Sequence, residues 1–230
     1  MLPQACASDS RSLSIMPWLA KSRQGAHSIL WHTLDVAAVA EELVARKRYF
    51  ADLTENHRAA LRLLIALHDL GKISDCFQRQ IDDTAQAMVG HVHHDALTWQ
   101  HFIILQRKLA AALEVDDPEV LDILAGAIAG HHGAPVDRAL SRSEAERLIG
   151  PAAPAVAECL VLHVLARFPD ASLAGLERQT ARSISFALAG LTSHADWIAS
   201  DPAHFPPAGI AGNPDAYDRM ARARATIAVA

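Results

Sequence analysis

His68 and Asp69 stand side by side at the end of an apolar run, Leu63-Leu64-Ile65-Ala66-Leu67-His68-Asp69-Leu70-Gly71-Lys72. An imidazole beside a carboxylate is a donor pair for a divalent ion. At ~100° per residue, Leu61, Leu64, Ile65 and His68 share one helical stripe, so His68 points where the leucines point and needs a polar partner there. Neighbours ~100° apart on a helix do not chelate like an i, i+4 pair, but at a helix terminus both can reach one ion or two adjacent ions. Gly71 suits the left-handed turn that ends a helix, a turn that would bring Lys72 back across the same end. Taken alone, such a pair is more often a core histidine followed by a solvated aspartate.

Thirteen histidines are the compositional surplus, and several fall where His68 does. His32 shares a stripe with Val36, Val39 and Leu43. His91-Val92-His93-His94-Asp95 opens a helix on which His94, Leu97, His101 and Leu105 align, so three histidines compete for one place in a site. Asp117-Pro118 starts a helix whose Leu121, Leu124 and Ile128 lead to His131-His132-Gly133. Asp196 follows Ser185, Ala189 and Thr192 on a small-residue face that leaves room for an ion. His32, His68, Asp69, His94, His131, His132 and Asp196 thus lie on five predicted helices, with no cysteine among them. Imidazole and carboxylate donors without thiolate suit near-octahedral Mn, Fe, Co or Ni better than structural zinc. Seven donors exceed one ion's needs, and two ions ~3.5–4 Å apart sharing a carboxylate form a site for phosphodiester hydrolysis.

The elements that must position these residues read as helices throughout. The chain has 230 residues, is 51% hydrophobic and only 5% aromatic, with alanine and leucine at helical spacing, which predicts one all-α domain. Residues 1–26 carry no clear period and read as an arm on which Trp18 docks; residues 27–200 form the core; residues 201–230 form a Pro/Gly-rich loop and a last helix capped by Asn213-Pro214. Thr54 reads as an N-cap, Ser143 to Glu146 as a capping box, and Ser172 to Ser200 as helix with a break near Gln179. Ile73 to Gln80 reads as a short helix anchored to the core by Phe77, and Asp82 to Gly90 as a loop. Arg46-Lys47-Arg48 reads as a solvated helix end. His163 reads as structural. A net charge of −5 and a pI near 6.2 leave no general basic footprint for nucleic acid. Three scattered cysteines suggest a reducing compartment. With no run near the ~18 apolar residues of a membrane span, a cytoplasmic protein is expected.

The order His32, His68-Asp69, Asp196 resembles the HD phosphohydrolases. A closer resemblance is to the HD nuclease domain of the type I CRISPR-associated nuclease-helicase family. It is carried by Trp31-His32-Thr33-Leu34-Asp35-Val36, by His68-Asp69-Leu70-Gly71-Lys72 with Phe77-Gln78, by His94-Asp95, by Gly130-His131-His132-Gly133, and by Leu191 to Ser200 with Ala195-Asp196-Trp197. The resemblance spans roughly residues 27 to 225. The resemblance implies an HD-domain helical bundle with a metal site between helices. It implies one ion on His32, His68, Asp69 and Asp196, a second on His94, His131, His132 and bridging Asp69, and Lys72 beside the scissile phosphate.

It further implies a metal-dependent nuclease that cuts single-stranded DNA and works with a helicase and an RNA-guided surveillance complex. Manganese, cobalt, nickel or iron is expected over magnesium, with residues 201–230 expected near a junction to the helicase. The rivals are a small-molecule HD phosphohydrolase acting on nucleotides or cyclic dinucleotides, and a metal-degenerate module that only docks a helicase.

Overall fold

The computed structural model of the chain describes residues 14–21, 25–46, 48–81, 93–136 and 140–230. The first thirteen residues, Lys47, the loop expected over Asp82 to Gly90, and His91 lie outside them. The described chain is a helical bundle with a small two-stranded ribbon. β1 (Leu19–Lys21) and β2 (His27–Ser28) precede α1 (Ile29–Arg46), α2 (Glu55–Ala66), α3 (Asp75–Ile81), α4 (His94–Ala112) and α5 (Pro118–Ala129). Then follow α6 (Arg142–Ile149), α7 (Ala153–Arg167), α8 (Arg178–Ala199) and α9 (Pro214–Ala228). No single described helix is long and apolar enough to cross a membrane.

α1 is the central element. It is buried on nearly every side, because Ile29, Leu30, Val36, Ala37 and Val39 leave no polar stripe over its first three turns, and α2, α8 and α9 pack around it. Polar residues on this helix must then find partners inside. Asp35 Oδ2 accepts from Tyr217 of α9 at 3.0 Å and lies 3.2 Å from His27 Nε2, while the Trp31 ring stacks on Tyr217 at 4.3 Å. α2 begins at Thr54, whose hydroxyl accepts from the His57 amide at 3.2 Å, and buries Leu61, Leu64 and Ile65. It gives way to a tight 3-10 turn at Leu70–Lys72 that packs against α4. α5 begins with Asp117 as its cap and Pro118 in its first turn, and packs against α4 and α8.

Several local expectations shift. The described part of the arm belongs to the packed body: Ile15, Met16 and Ala20 are buried, and β1 pairs antiparallel with β2. The capping box is Ser141 with Glu144, two residues before the expected one, because Ser141 is the hydroxyl that stands outside the first turn. Helix α8 starts only at Arg178, and residues 172–177 are not helical. Phe77 is half-buried and faces His94, while its neighbour Cys76 fills the core. Gly71 is not left-handed; it serves close approach. A Cβ there would lie 1.9 Å from the His94 carbonyl oxygen and 2.6 Å from the Thr98 nitrogen. Asn213 caps α9, as expected. Arg46 is exposed, and it also donates to the Val229 carbonyl at 2.6 Å.

Candidate metal centre

The site is assembled from helix ends. The 3-10 turn that carries Asp69 and Lys72 into place satisfies only part of its backbone itself, Lys72 N donating to the Asp69 carbonyl at 2.9 Å and Ile73 N to the Leu70 carbonyl at 3.0 Å, and side chains of its neighbours satisfy more of it. Thr98 of α4 does this twice: its hydroxyl accepts from the Gly71 amide at 2.9 Å and donates to the His68 carbonyl at 3.0 Å. Ser74 donates to the Gly71 carbonyl at 2.8 Å, and His101 Nε2 donates to the Ile73 carbonyl at 2.8 Å. Burial pushes the His101 imidazole down to about 4, so it stays neutral and serves as this brace. Gln78 donates to the carbonyls of Lys72 and Leu19 and accepts from the Leu19 amide, joining the turn to β1.

Onto this frame α1 brings His32, the end of α2 brings His68 and Asp69, the first turn of α4 brings His94, and the turn after α5 brings His131 and His132. Helix α5 stops at Ala129, so these two histidines sit just beyond it, and α8 brings Asp196. All seven converge in two groups that share Asp69. Asp69 Oδ2 lies 3.0 Å from His32 Nε2 and 3.3 Å from His68 Nε2, and Asp196 Oδ1 lies 3.2 and 3.6 Å from the same nitrogens. Asp69 Oδ1 faces the other way, 3.0 Å from His94 Nε2 and 3.9 Å from His131 Nε2. His132 Nε2 is 3.1 Å from His94 Nε2. Lys72 Nζ sits 2.6 Å from Asp69 Oδ2.

The donor set fits divalent ions. One candidate atom from each of His32, His68, Asp69 and Asp196 lies within 4.8 Å of the others, as do those of His94, Asp95, His131 and His132, and two nitrogens held about 2.1 Å from one ion at right angles would stand about 3 Å apart. His32 Nε2, His68 Nε2, Asp69 Oδ1 and His131 Nε2 are buried without a satisfying hydrogen bond. Meanwhile His68 Nδ1 donates to the Ile65 carbonyl at 3.1 Å and His131 Nδ1 to the Ile128 carbonyl at 2.9 Å. A carbonyl can only accept, so each bond turns the Nε2 lone pair inward, as a metal ligand requires.

Electrostatics explain how the protein holds these groups together. Burial disfavours a charged His68, but the Asp69 and Asp196 carboxylates outweigh it and raise the imidazole to about 9. Burial, then the charge of His68, push His131 down to about 3. Burial also works against the ionised Asp69 and Asp196, yet His68 and Lys72 hold Asp69 well below the usual carboxylate range, and His32 and His68 hold Asp196 below it. One proton on His68 thus balances part of the carboxylate charge.

Asp95 is a candidate donor that sequence reasoning passed over. Its Oδ1 is 3.5 Å from His132 Nε2 and 3.7 Å from His94 Nε2, within the second group. The available signal was that His94-Asp95 repeats the adjacency of His68-Asp69 at another helix end. Of the competing histidines, His94 is in the site and His93 is the residue before the helix.

The family described as "Cas3, HD domain" matches residues 19–205. The CRISPR-associated endonuclease/helicase Cas3 of Thermus thermophilus is 33% identical over 208 residues, covering 81% of this chain and 22% of the relative; the chain therefore spans about a fifth of that protein. The crystal structure of the Thermus thermophilus Cas3 HD domain in the presence of Ni2+ superposes with a TM-score of 0.67 at 27% identity, over 94% of this chain and 89% of that one. A CRISPR RNA-guided surveillance complex in a pre-nicking state contains a chain of the same fold, with a TM-score of 0.65 at 21% identity over 92% of this chain and 28% of that one.

Proposed function

The chain belongs to the Cas3 HD-domain family of metal-dependent nucleases, and from that premise we propose that it hydrolyses single-stranded DNA with two divalent transition-metal ions. The observation that carries this reading is the split of Asp69, one oxygen toward His32 and His68, the other toward His94. His32, His68, Asp69 and Asp196 would hold one ion, and His94, His131, His132 and the second Asp69 oxygen the other. When bound, such ions bring a water into hydroxide range and neutralise charge on the phosphoryl group.

The remaining work belongs to the chain's own residues. The Ile65 and Ile128 carbonyls hold the His68 and His131 rings in one tautomer and orientation. Lys72 keeps Asp69 ionised and sets a positive charge beside the reacting phosphate. His132, 44% exposed, opens the second group to solvent on one side, which suits a strand lying across the site better than a small molecule enclosed in a pocket. Donors this rich in imidazole favour Mn, Co, Ni or Fe over Mg. That the Thermus thermophilus HD domain crystallised in the presence of Ni2+ supports the choice.

In this reading the chain acts in the cytoplasm with a helicase and an RNA-guided surveillance complex; the similar Thermus thermophilus protein is named an endonuclease/helicase, and a chain of the same fold is found in an RNA-guided surveillance complex. Residues 27–200 are the catalytic core, and residues 201–230, whose α9 packs on the helix bearing His32, close the domain. The test is cleavage of circular single-stranded DNA by metal-stripped protein resupplied with Mn, Co, Ni or Mg. Cleavage with the first three, abolished in a folded Asp69→Ala chain, is expected. Metal-loaded protein that spares the DNA but hydrolyses nucleotides or cyclic dinucleotides would replace this reading with the small-molecule one.

A further inference from the structure

Lys21 is the last residue of β1, and both edges of that strand are tied to the metal centre. On one edge β1 pairs with β2, Leu19 opposite Ser28 and Lys21 opposite His27, and β2 runs directly into the helix that carries His32. On the other, the Gln78 amide grips the Leu19 backbone in both directions, at 3.0 and 2.9 Å, while donating to the Lys72 carbonyl at 2.8 Å. Ala20 is buried in the core, while Leu19 and Lys21, on either side of an irregularity in the strand register, are half-buried. Lys21 is thus held by the segment that positions His32 and by the one that positions Lys72.

Its ammonium lies in the field of the site. Burial and the charge of Lys72 both work against it, while Asp196, Asp69 and Asp35 favour it, and the balance lowers its pKa from the ordinary lysine value. Yet among the described residues it makes no ion pair with a carboxylate, whereas Lys72 is engaged with Asp69 at 2.6 Å. A half-buried cation next to a second cation and without a counter-ion is costly, and an arriving anion removes the cost. Two further positive ions on Asp69 and Asp196 would cancel the carboxylates that now favour it, strengthening its demand for an anion.

We infer that Lys21 binds a non-bridging phosphate oxygen of the DNA strand laid across the metal centre. The inference rests on the nuclease reading above. Lys72 already engages the bridging carboxylate, whereas Lys21, without a carboxylate partner among the described residues, keeps its donors for substrate. In a chain of net charge −5, one such contact carries a large share of strand binding.

The test compares the chain with its Lys21→Met, Lys21→Gln and Lys21→Arg variants, each loaded with manganese, on a single-stranded oligonucleotide over a range of salt. The readouts are kcat, KM, metal per chain and the thermal midpoint. The expected result is a loss of about 10- to 100-fold in kcat/KM for Met and Gln, mostly in KM. The slope of log KM against log salt should become shallower by about 0.7, one single-strand phosphate contact, and Arg should recover most of the loss. Metal per chain should not move, and the midpoint should hold or rise, since the neutral variants remove a costly half-buried charge. Unchanged KM and salt slope in both neutral variants would overturn the assignment, as would a loss of bound metal that accounts for the defect. If the unaltered chain spares single-stranded DNA with every metal, the substrate reading itself fails and the assignment falls with it, a result distinct from a failure confined to the variants.

Discussion

Replacing Gly71 by alanine places a single methyl group where the metal centre has no room for it. The new Cβ would stand 1.9 Å from the His94 carbonyl oxygen, 2.9 Å from its carbon and 2.6 Å from the Thr98 nitrogen, all backbone atoms. Real Cβ contacts do not fall below 3.0 Å, so the first turn of α4 and the 3-10 turn must separate by at least about 1.1 Å. Helix α4 cannot retreat freely, because Leu97, Thr98 and His101 are fully buried. Overpacking of this kind costs about 1–3 kcal/mol, and strain on the Thr98 bonds to Gly71 and His68 adds about 1 kcal/mol for each that is lost. A total near 3 kcal/mol lowers the thermal midpoint by roughly 6–12 °C for a chain of this size.

The functional loss should be larger than the loss of stability. A shift of about 1 Å in a positioned group is worth about 100-fold in rate, and here the moving turn carries His94 and Asp95. The expected outcome is a folded protein with turnover on circular single-stranded DNA down about 100-fold or more. Bound metal should fall from two ions per chain toward one, since His32, His68 and Asp196 lie on other elements. Gly175→Ala is the control: its φ is +71° but nothing lies within 4 Å of the added carbon, so it should cost about 1–2 kcal/mol and leave turnover alone. A Gly71→Ala protein with the parent's stability, metal content and turnover would refute the close-approach account.

Two other predictions concern the ligands. His94→Ala should remove one ion per chain by elemental analysis while His91→Ala and His93→Ala keep both, because His94 Nε2 lies 3.0 Å from Asp69 Oδ1; a loss confined to either of the other two would move the ligand assignment. In the metal-free protein the His68 imidazolium, raised to about 9, stabilises the fold fully below pH 6.5, and that stability is lost as pH rises through about 9. An incoming ion must displace this proton. Metal affinity should therefore rise by up to about tenfold per pH unit toward pH 9 and flatten above it, with about one proton released per chain at pH 7 in calorimetry across buffers; binding without proton release would contradict the charge assignment.

The helical class, the caps at Thr54, Asp117 and Asn213, and the seven residues that converge between the helices were all legible in the amino-acid sequence. Those features are local: a 3.6-residue period, a cap residue before it, and imidazoles at the ends of apolar stripes each announce themselves within a few positions. The helix starts at Ser141 and Arg178 were misjudged because neighbouring serines and charged residues offer competing caps, and packing selects among them. What only the tertiary structure decided is every relation between distant segments. It splits Asp69 between His32 and His94, seats Asp95 within 3.5 Å of His132, and makes Gly71 the floor under the first turn of α4. It also brings Lys21 beside the site through the Gln78 amide, which grips Leu19 from 59 positions further along the chain. No periodicity reports such contacts, because they depend on how helices pack against one another and on which backbone groups are left for side chains to satisfy.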